Sequence, residues 1–339
     1  MGENDTYRLI PDWEKPRALI LVWPVQVYRK YLLQFYSRFV SYLPDDVKLI
    51  CLVKNIGIER EVKASINAYS KSVEIQFLAI PDVTEIWIRD WGPIPARDST
   101  GKTVAIKAIY RPRYLSKSAA LKAGAFADDI AGKKLAGLLG LPVMDIPLVW
   151  DIGNLTHNGE GTAIVTSRLI DDNKDTFTES RVRELLREIL NITRLIILPE
   201  EPEDETGHID GMVRFLDPKT LAVGAYPSGW SMGKRFMDRI ATTLRQELGT
   251  EYTIVRIPNG VPPNEKKEGV YSAFGNHINF LRFGNTLLLP AYGIQEDSKS
   301  EIILRESLSN TDVIPAYIPD INKLASRGGV LHCMTWVLY

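Results

Sequence analysis

The chain has few of the residues that build disulfide scaffolds or metal sites. Its 339 residues include 2 cysteines, Cys51 and Cys333, and 4 histidines. At most one disulfide can form, so a disulfide framework is excluded, and no CxxC or HxxxH spacing occurs, so no zinc site is expected. Nucleophilic or acid–base chemistry that uses cysteine and histidine therefore has very few candidates.

An excess of one charge and long apolar segments are also lacking. Lys and Arg number 41 against 42 Asp and Glu, which gives a net charge of −1 and argues against a surface devoted to nucleic acid or anionic lipid. No apolar segment approaches the roughly 20 residues of a membrane helix, and no secretory signal pattern precedes the first strand. These features predict a cytoplasmic protein with reduced thiols, no nucleic-acid partner and no membrane association.

Short apolar runs, most of them rich in Val and Ile, alternate with amphipathic segments along the whole chain, which predicts a mixed α/β fold. The strand candidates are 18–22, 48–53, 74–79, 104–109, 163–166, 195–198, 212–216, 221–224, 252–257, 278–283, 286–290 and 313–318. The helix candidates are 26–41, 58–69, 127–139, 179–190, 232–247, 300–309 and 319–326. No Pro/Ser linker or low-complexity segment divides the chain.

Five segments mix aromatic residues or glycine with polar groups in a way that does not suit a plain strand. They are WIRDWGP (87–93), WDIGN (150–154), GHIDG (207–211), GNHINF (275–280) and LHCMT (331–335). Taken at Asp90, Asp151, His208, Asn279 and Cys333, their spacings are 61, 57, 71 and 54 residues. A period near 60 suggests one supersecondary unit repeated five times, with one polar residue from each unit at a central axis.

The two cysteines differ in their surroundings. Cys51 lies within the apolar run LICLV and fits an inert core thiol. Cys333 follows the Gly328-Gly329 pair and has polar and aromatic neighbours, so it is the candidate nucleophile, with an inert core thiol as the alternative.

A histidine between carboxylates marks the GHIDG segment. In an extended strand His208 and Asp210 would point to the same face, and a histidine held by carboxylates suits proton delivery to a leaving group. The alternative is a solvated acidic turn followed by a structural histidine.

Two further segments contain candidate binding groups. In WIRDWGP, two tryptophans flank Asp90 and suit a buried, planar cation, although a strand end with a surface ion pair would show the same residues. The stiff Arg111-Pro112-Arg113 segment could hold a carboxylate with two guanidinium groups, or form a solvated basic loop.

Together, WIRDWGP, GHIDG, GNHINF with the later LLLPAYG, and GGVLHCMT resemble the motifs of the agmatine deiminase and bacterial peptidyl-arginine deiminase family. The resemblance runs from about Trp13 to Thr335, with the motifs in the family's order. It implies the pentein fold, a five-unit α/β propeller around a central active site, and a single catalytic domain over 1–339. The implied units are roughly 1–95, 96–155, 156–215, 216–282 and 283–339.

The resemblance also implies a role for each matching residue. Cys333 matches the nucleophile, His208 the general acid and base, and Asp90 and Asp210 the carboxylates that grip a guanidinium group. The matches to substrate-binding positions are Trp87, Asp151, Asn154, Asp204, Asn279, Arg111 and Arg113.

Two of these positions depart from the family pattern. Ile152 replaces a glycine between Asp151 and Asn154, and Asp204 stands where the family has a glutamate that orients the histidine. Arg111 and Arg113 resemble the segment that holds the α-carboxylate of a C-terminal arginine, which favours an arginine-bearing substrate over agmatine.

The implied reaction is hydrolysis of a guanidinium group to a ureido product and ammonia, through a covalent thiouronium on Cys333. His208 and a nearby cation would favour the thiolate, and no metal or organic cofactor is required. The implied partner is a small guanidino substrate or the C-terminal arginine of a peptide, and a homodimer is left open. Amidino transfer and a non-catalytic pentein binding protein are the alternatives, the second disfavoured because all five polar positions are kept.

Overall fold

The computed structural model describes residues 6–24, 30–68, 73–112, 114, 119–263, 266–267 and 270–339. Within these ranges the strands are β1 (Arg8–Leu9), β2 (Ala18–Val22), β3 (Lys48–Val53), β4 (Ile75–Ala79), β5 (Ile94–Arg97), β6 (Thr103–Ile109), β7 (Val143–Val149), β8 (Thr156–His157), β9 (Thr162–Thr166), β10 (Arg194–Leu198), β11 (Val213–Asp217), β12 (Thr220–Ala225), β13 (Thr253–Pro258), β14 (Lys266–Lys267), β15 (Val270–Tyr271), β16 (Leu281–Phe283), β17 (Thr286–Pro290), β18 (Ile314–Ile318) and β19 (Thr335–Leu338). The helices are α1 (Leu33–Val40), α2 (Glu59–Asn67), α3 (Ile88–Trp91), α4 (Ala119–Leu138), α5 (Arg168–Asn173), α6 (Glu179–Leu190), α7 (Ser231–Leu248), α8 (Gln295–Ser307) and α9 (Asn322–Ala325).

Four of the sheets share one connection pattern. Two antiparallel strands are followed by a helical crossover and a third strand that lies parallel to the second, as a parallel pair requires. These sheets contain β5–β6–β7, β8–β9–β10, β11–β12–β13 and β16–β17–β18. The crossovers contain α4, then α5 and α6, then α7 and finally α8.

The remaining large sheet is assembled from both ends of the chain. The C-terminal strand β19 pairs antiparallel with β2, and β2, β3 and β4 run parallel to one another. The predicted five-unit α/β architecture is therefore confirmed, and β19 joins the last unit to the first.

The predicted borders between the units are largely wrong. The borders at 95/96, 215/216 and 282/283 fall inside β5, β11 and β16, and residues 335–338 belong to the first sheet instead of the fifth unit. The spacings between motifs give the length of the repeat. They do not show whether a motif lies at the start or at the end of its unit, and the structure places each motif just before the first strand of a unit.

The largest apolar cluster surrounds the sheet that both ends of the chain build. All five residues of β2 are buried, and Cys51 in β3 has 0% of its surface exposed. Burial in this apolar environment raises the pKa of the Cys51 thiol, which matches the predicted inert core thiol. No helix within the described ranges is long and apolar enough to cross a membrane.

Candidate active site

The turns that lead into the five units meet at one place. Each precedes the first strand of its unit: Asp90 before β5, Asp151 before β8, His208 before β11, Asn279 before β16 and Cys333 before β19. All five side chains are at least 92% buried. The prediction that one polar residue per unit converges is supported by contacts between them, since His208 approaches Asp90 and Asp151, and Cys333 approaches Asn279.

Polar groups surround the thiol of Cys333. Its Sγ lies 3.2 Å from Asn279 Nδ2 and 3.6 Å from Asp210 Oδ2. Asn279 Oδ1 also accepts a hydrogen bond from the Cys333 backbone N–H at 3.4 Å, so one amide positions both the backbone and the sulfur. Burial raises the pKa of the Cys333 thiol well above its ordinary value, and Asp210 and Asp90 raise it further.

His208 lies between two carboxylates. Its Nδ1 is 3.5 Å from Asp90 Oδ1, and its Nε2 is 3.3 Å from Asp151 Oδ2. Burial alone would lower the pKa of His208, but Asp90, Asp151 and Asp210 outweigh it and raise the pKa to about 10. For Asp90, burial has the opposite effect and raises the pKa to about 7, although His208 opposes this shift. The imidazole is thus protonated at neutral pH and can donate a proton.

The close approach of Asp90 and His208 depends on a glycine that the sequence reasoning did not single out. A Cβ on Gly153 would lie 2.4 Å from Asp90 Oδ1 and 2.6 Å from His208 Nδ1. Ile152, which replaces the first glycine of this turn, is buried in an apolar cluster instead. The departure at 152 therefore leaves the essential glycine in place.

A second histidine, His332, belongs to the site but had no predicted role. Its Nδ1 lies 2.7 Å from Asp210 Oδ2, and its backbone N–H donates to Asn279 Oδ1 at 3.2 Å. Burial, together with Arg214 and Arg89, holds the pKa of His332 well below its usual value. A neutral imidazole that donates from Nδ1 orients the Asp210 carboxylate. Its position next to Cys333 in the sequence was the only available signal.

These residues lie at a cavity of about 200 Å³. Cys333, His208, Asp90, Asp210 and Asn279 all line it. Other lining residues are Trp87, Tyr110, Tyr114, Tyr226, Trp230, Phe274 and Arg327. Trp87, half-buried, lies so close to Gly329 that a Cβ there would be 2.6 Å from its ring, so the Gly328-Gly329 turn lets the tryptophan approach the site.

The cavity wall has more acidic than basic groups. Besides Asp90 and Asp210, the described lining includes Glu85, Glu201, Glu203 and Asp204. Glu201 is 9% exposed, and its Oε1 has no hydrogen-bond partner within the described part of the chain. Burial raises the pKa of Glu201 to about 8, while a hydrogen bond with Tyr226 opposes the shift. Such a wall suits a cationic ligand.

Three predicted substrate-binding residues have other contacts. Asp151 is placed against His208 and is not among the described residues that line the cavity. Asn154 is 1% exposed and accepts a hydrogen bond from the Thr166 backbone at 2.8 Å. Asp204 lines the cavity, but its carboxylate accepts hydrogen bonds from Thr206. The carboxylates beside His208 are thus those of Asp90 and Asp151, while Asp204, expected from the sequence to orient it, bonds Thr206.

The predicted arginine clamp is not seen at the cavity. Arg111 is exposed and is absent from the described lining. Arg113 lies outside the described residues. The described lining has more carboxyl groups than basic groups, the latter being Arg327 and His208.

Two of the motifs contain a short helical segment. Ile88–Trp91 is a short helix that begins after Trp87, and Ile209–Gly211 is a 3-10 turn that begins after His208. His208 and Asp210 thus reach the same cavity through a turn instead of through strand alternation.

No group of three or more metal-binding side chains with suitable geometry occurs within the ranges that the structure describes.

Comparisons with known proteins agree with this geometry. The family model described as Porphyromonas-type peptidyl-arginine deiminase matches residues 8–338. An agmatine deiminase of Stutzerimonas stutzeri is 24% identical over 74% of this chain and 73% of its own, and one of Medicago truncatula is 23% identical over 82% and 84%. A solved structure of a cysteine-to-serine variant of C. jejuni agmatine deiminase with substrate bound has a TM-score of 0.83 at 19% identity, covering 100% of this chain and 98% of that one.

Proposed function

The chain belongs to the Porphyromonas-type peptidyl-arginine deiminase family, and we propose that it is a cysteine-dependent guanidine deiminase, a hydrolase that acts on a C–N bond of its substrate. A single catalytic domain over 1–339 would perform the reaction, because all five units contribute to one site. The observation that carries the proposal is the position of the Cys333 thiol in an acidic cavity together with Asp90, His208 and Asp210.

Asp90 and Asp210 would bind the guanidinium group. Asp90 lines the cavity, where its carboxylate can accept from a substrate N–H, while its Oδ1 lies 3.5 Å from His208 Nδ1. Asp210 also lines the cavity, and its Oδ2 lies 2.7 Å from His332 Nδ1 and 3.6 Å from Cys333 Sγ. Paired hydrogen bonds to two carboxylates fix the plane of a guanidinium and place its carbon near the sulfur.

The substrate itself would help to form the thiolate. In the free protein, burial, Asp210 and Asp90 raise the pKa of the Cys333 thiol, so the expectation that a nearby cation and His208 favour the thiolate is not supported for this state. A bound guanidinium would neutralise both carboxylates and add a positive charge beside the sulfur. Binding of the guanidinium would therefore both place its carbon in the site and favour the thiolate form of Cys333.

The chemical steps balance without an added reagent. Sγ attacks the guanidinium carbon to give a tetrahedral adduct, and His208 protonates the departing nitrogen, so the C–N bond breaks and ammonia leaves. A thiouronium remains on Cys333. His208, now neutral, takes a proton from water as the water attacks the same carbon. The hydroxyl proton of this second adduct passes to Sγ as the C–S bond breaks, which releases the ureido product and restores the thiol. The proton that the thiol loses when substrate binds goes to solvent.

The acidic wall favours a substrate that has no carboxylate, such as agmatine, over free arginine or a C-terminal peptidyl arginine. Glu203 and Asp204 line the cavity in addition to the residues that would hold the guanidinium, whereas Glu201, with a pKa of about 8, is mostly uncharged at neutral pH. An arginine substrate would bring its carboxylate into this field, at a cost that an ammonium group does not have.

An ammonia-release assay over agmatine, arginine and a peptide ending in arginine tests this proposal. We expect kcat/KM for agmatine to exceed that for the two arginine substrates by about tenfold or more, an estimate for one uncompensated charge, with a ureido product. A preference for the arginine substrates that disappears in an Arg111→Ala, Arg113→Ala double variant would instead support the predicted carboxylate clamp. A new guanidino product from an added amine would support amidino transfer.

A further inference from the structure

One residue of the cavity wall, Asn276, lies between the two turns that flank the Cys333 thiol. Asn276 is half-buried and lines the cavity. Its Nδ2 donates a hydrogen bond to the Gly211 carbonyl at 3.0 Å. Its Oδ1 accepts hydrogen bonds from the backbone N–H groups of Ile278 and Asn279, at 3.0 and 3.2 Å. We refer to these three hydrogen bonds as the Asn276 bridge.

The first end of the bridge is the turn that supplies Asp210. Gly211 directly follows Asp210 and is the last residue of the 3-10 turn Ile209–Gly211. A Cβ on Gly211 would lie 2.9 Å from Asn276 Nδ2, so the glycine allows the two turns to approach this closely. Because the hydrogen bond reaches the residue next to Asp210, it fixes where the Asp210 carboxylate lies in the cavity.

The other end of the bridge is the turn that supplies Asn279. The bond from the Ile278 N–H to the side chain two residues earlier is that of an Asx turn, which sets the local path of the backbone. The side chain of Asn279 then lies 3.2 Å from Cys333 Sγ, and Asp210 Oδ2 lies 3.6 Å from the same sulfur. The bridge therefore joins the turns of both side chains that lie beside the thiol.

The backbone of Asn276 is held by contacts behind the cavity. The Tyr292 hydroxyl donates to the Asn276 carbonyl at 2.8 Å. The Tyr292 N–H donates to Asp297, in the first turn of α8, at 3.0 Å, and His277 Nε2 lies 2.8 Å from the same carboxylate. The position of Asn276 is thus set by the fold and does not require a bound ligand.

The amide of Asn276 is suited to act through its neighbours. An amide oxygen has two lone pairs, and the two backbone N–H groups occupy both, so no acceptor remains for a guanidinium. We propose that Asn276 is a positioning residue that fixes the spacing between the Asp210 carboxylate and the Cys333 thiol. This inference rests on the proposed deiminase function, in which Asp210 holds the guanidinium while Cys333 attacks its carbon.

Two neutral substitutions separate the two ends of the bridge. In Asn276→Ser the hydroxyl can still accept from the Ile278 N–H, but it is too short to reach the Gly211 carbonyl. Asn276→Ala loses all three hydrogen bonds. We expect Asn276→Ser to raise KM about tenfold and to keep kcat within about threefold, as for one lost hydrogen bond. Asn276→Ala should also lower kcat, by about 100-fold, as for a misplacement near 1 Å.

Asn158, in the turn between β8 and β9, is the matched control. Its Oδ1 accepts from the N–H groups of Glu160 and Thr162 at 2.9 and 3.1 Å, and its Nδ2 donates to the Pro218 carbonyl at 3.2 Å. It is absent from the described lining of the cavity. Asn158→Ser and Asn158→Ala should lower Tm and leave kcat and KM unchanged. Equal changes of kcat and KM at both positions would contradict the proposal, as would wild-type kcat and KM in the Asn276 variants.

Covalent labelling of Cys333 with 2-chloroacetamidine tests the same spacing without turnover. The amidinium would bind Asp210 as a guanidinium does, while the thiolate attacks the methylene carbon and displaces chloride. Mass spectrometry of the tryptic peptide 328–339 gives the rate. We expect this rate to fall about tenfold in Asn276→Ser and about 100-fold in Asn276→Ala, and to stay unchanged in the Asn158 variants.

Unchanged labelling in the Asn276 variants would overturn the inference, and Asn276→Ser keeps the test available if Asn276→Ala does not fold. A wild-type protein that is labelled at Cys333 but releases no ammonia from any guanidino substrate would contradict the proposed function instead. The labelling rates of the variants would still decide whether Asn276 positions the site.

Discussion

The two cysteines provide an internal comparison of two buried thiols. Cys51 is 0% exposed and Cys333 is 8% exposed, and neither forms a disulfide. Cys51 lies within β3, between β2 and β4, among apolar side chains. Cys333 lies in the turn before β19, with Asn279, Asp210 and the cavity beside its sulfur.

Burial alone therefore does not distinguish a reactive cysteine from an inert one in this fold. Burial raises the pKa of both thiols. The difference is that a cation can enter the cavity next to Cys333 and reverse the effect of Asp210 and Asp90, whereas no such group can reach Cys51. The comparison predicts that substitution of Cys333, in the polar turn, affects activity and that substitution of Cys51, in the strand, affects stability.

Replacing each cysteine with alanine should give the largest contrast. We expect Cys333→Ala to lower kcat for ammonia release by about 10⁴-fold or more, as for loss of a covalent nucleophile. Cys51→Ala should leave kcat within about twofold and lower the free energy of unfolding by about 1 kcal/mol, since it only removes buried volume. Steady-state assays and urea unfolding measure the two effects. Equal loss of activity in two folded variants would contradict the assignment.

Adding a methyl group at Gly153 should disturb the contact between Asp90 and His208. Gly153→Ala would place Cβ against Asp90 Oδ1 and His208 Nδ1, so we expect kcat/KM to fall by about 100-fold, the effect of a misplacement near 1 Å. Gly137→Ala is the matched control, because a Cβ there meets no atom within 4 Å. It should leave kcat/KM unchanged. An active Gly153→Ala variant would show that the Asp90–His208 approach is not needed.

The pH dependence of kcat/KM, which reports groups of the free enzyme, should report on the carboxylates around His208. The protonated imidazole is the acid in the first step, so activity is present below the pKa of about 10 and is lost as the pH rises through it. Asp151→Asn removes a charge that raises this pKa and should move the alkaline limb down by about one pH unit. Asp204→Asn should leave the limb in place, because Asp204 bonds Thr206. An unmoved limb in Asp151→Asn would exclude Asp151 as the partner that sets the His208 pKa.

The smallest effect should come from His332, which acts through Asp210. We expect His332→Leu to lower kcat/KM by about tenfold, mainly through a higher KM, because the loss of one hydrogen bond to a charged group frees the carboxylate. His332→Asn retains an N–H donor and should recover part of the loss. If both variants bind substrate like the wild type, the contact with Asp210 has no positioning role.

Sequence reasoning predicted which residues belong to the site better than how they are held. Cys333, His208, Asp90, Asp210 and Asn279 were predicted from motif and spacing, and all line one cavity. The residue types of a motif can be read from the sequence, whereas the conformation of a turn depends on tertiary packing. An extended strand at GHIDG would also place His208 and Asp210 on one face, but the structure has a 3-10 turn there.

The partners of the charged groups could not be predicted from the sequence either. Asp151 lies 57 residues from His208, and only the convergence of two units brings them together. The same holds for His332 and Asp210, which are 122 residues apart. Helix α6 was predicted at Glu179–Leu190 and confirmed, because its 3.6-residue apolar period is a local property.

Mass spectrometry of the acid-quenched enzyme during turnover tests the central claim most directly. If Cys333 is the nucleophile, trypsin should release the peptide 328–339 carrying the mass of the substrate less ammonia, while the peptide 49–54, which contains Cys51, stays unmodified. Ammonia release with the adduct on Cys51, or with no adduct on either peptide under conditions where hydrolysis of the intermediate is rate-limiting, would contradict the account.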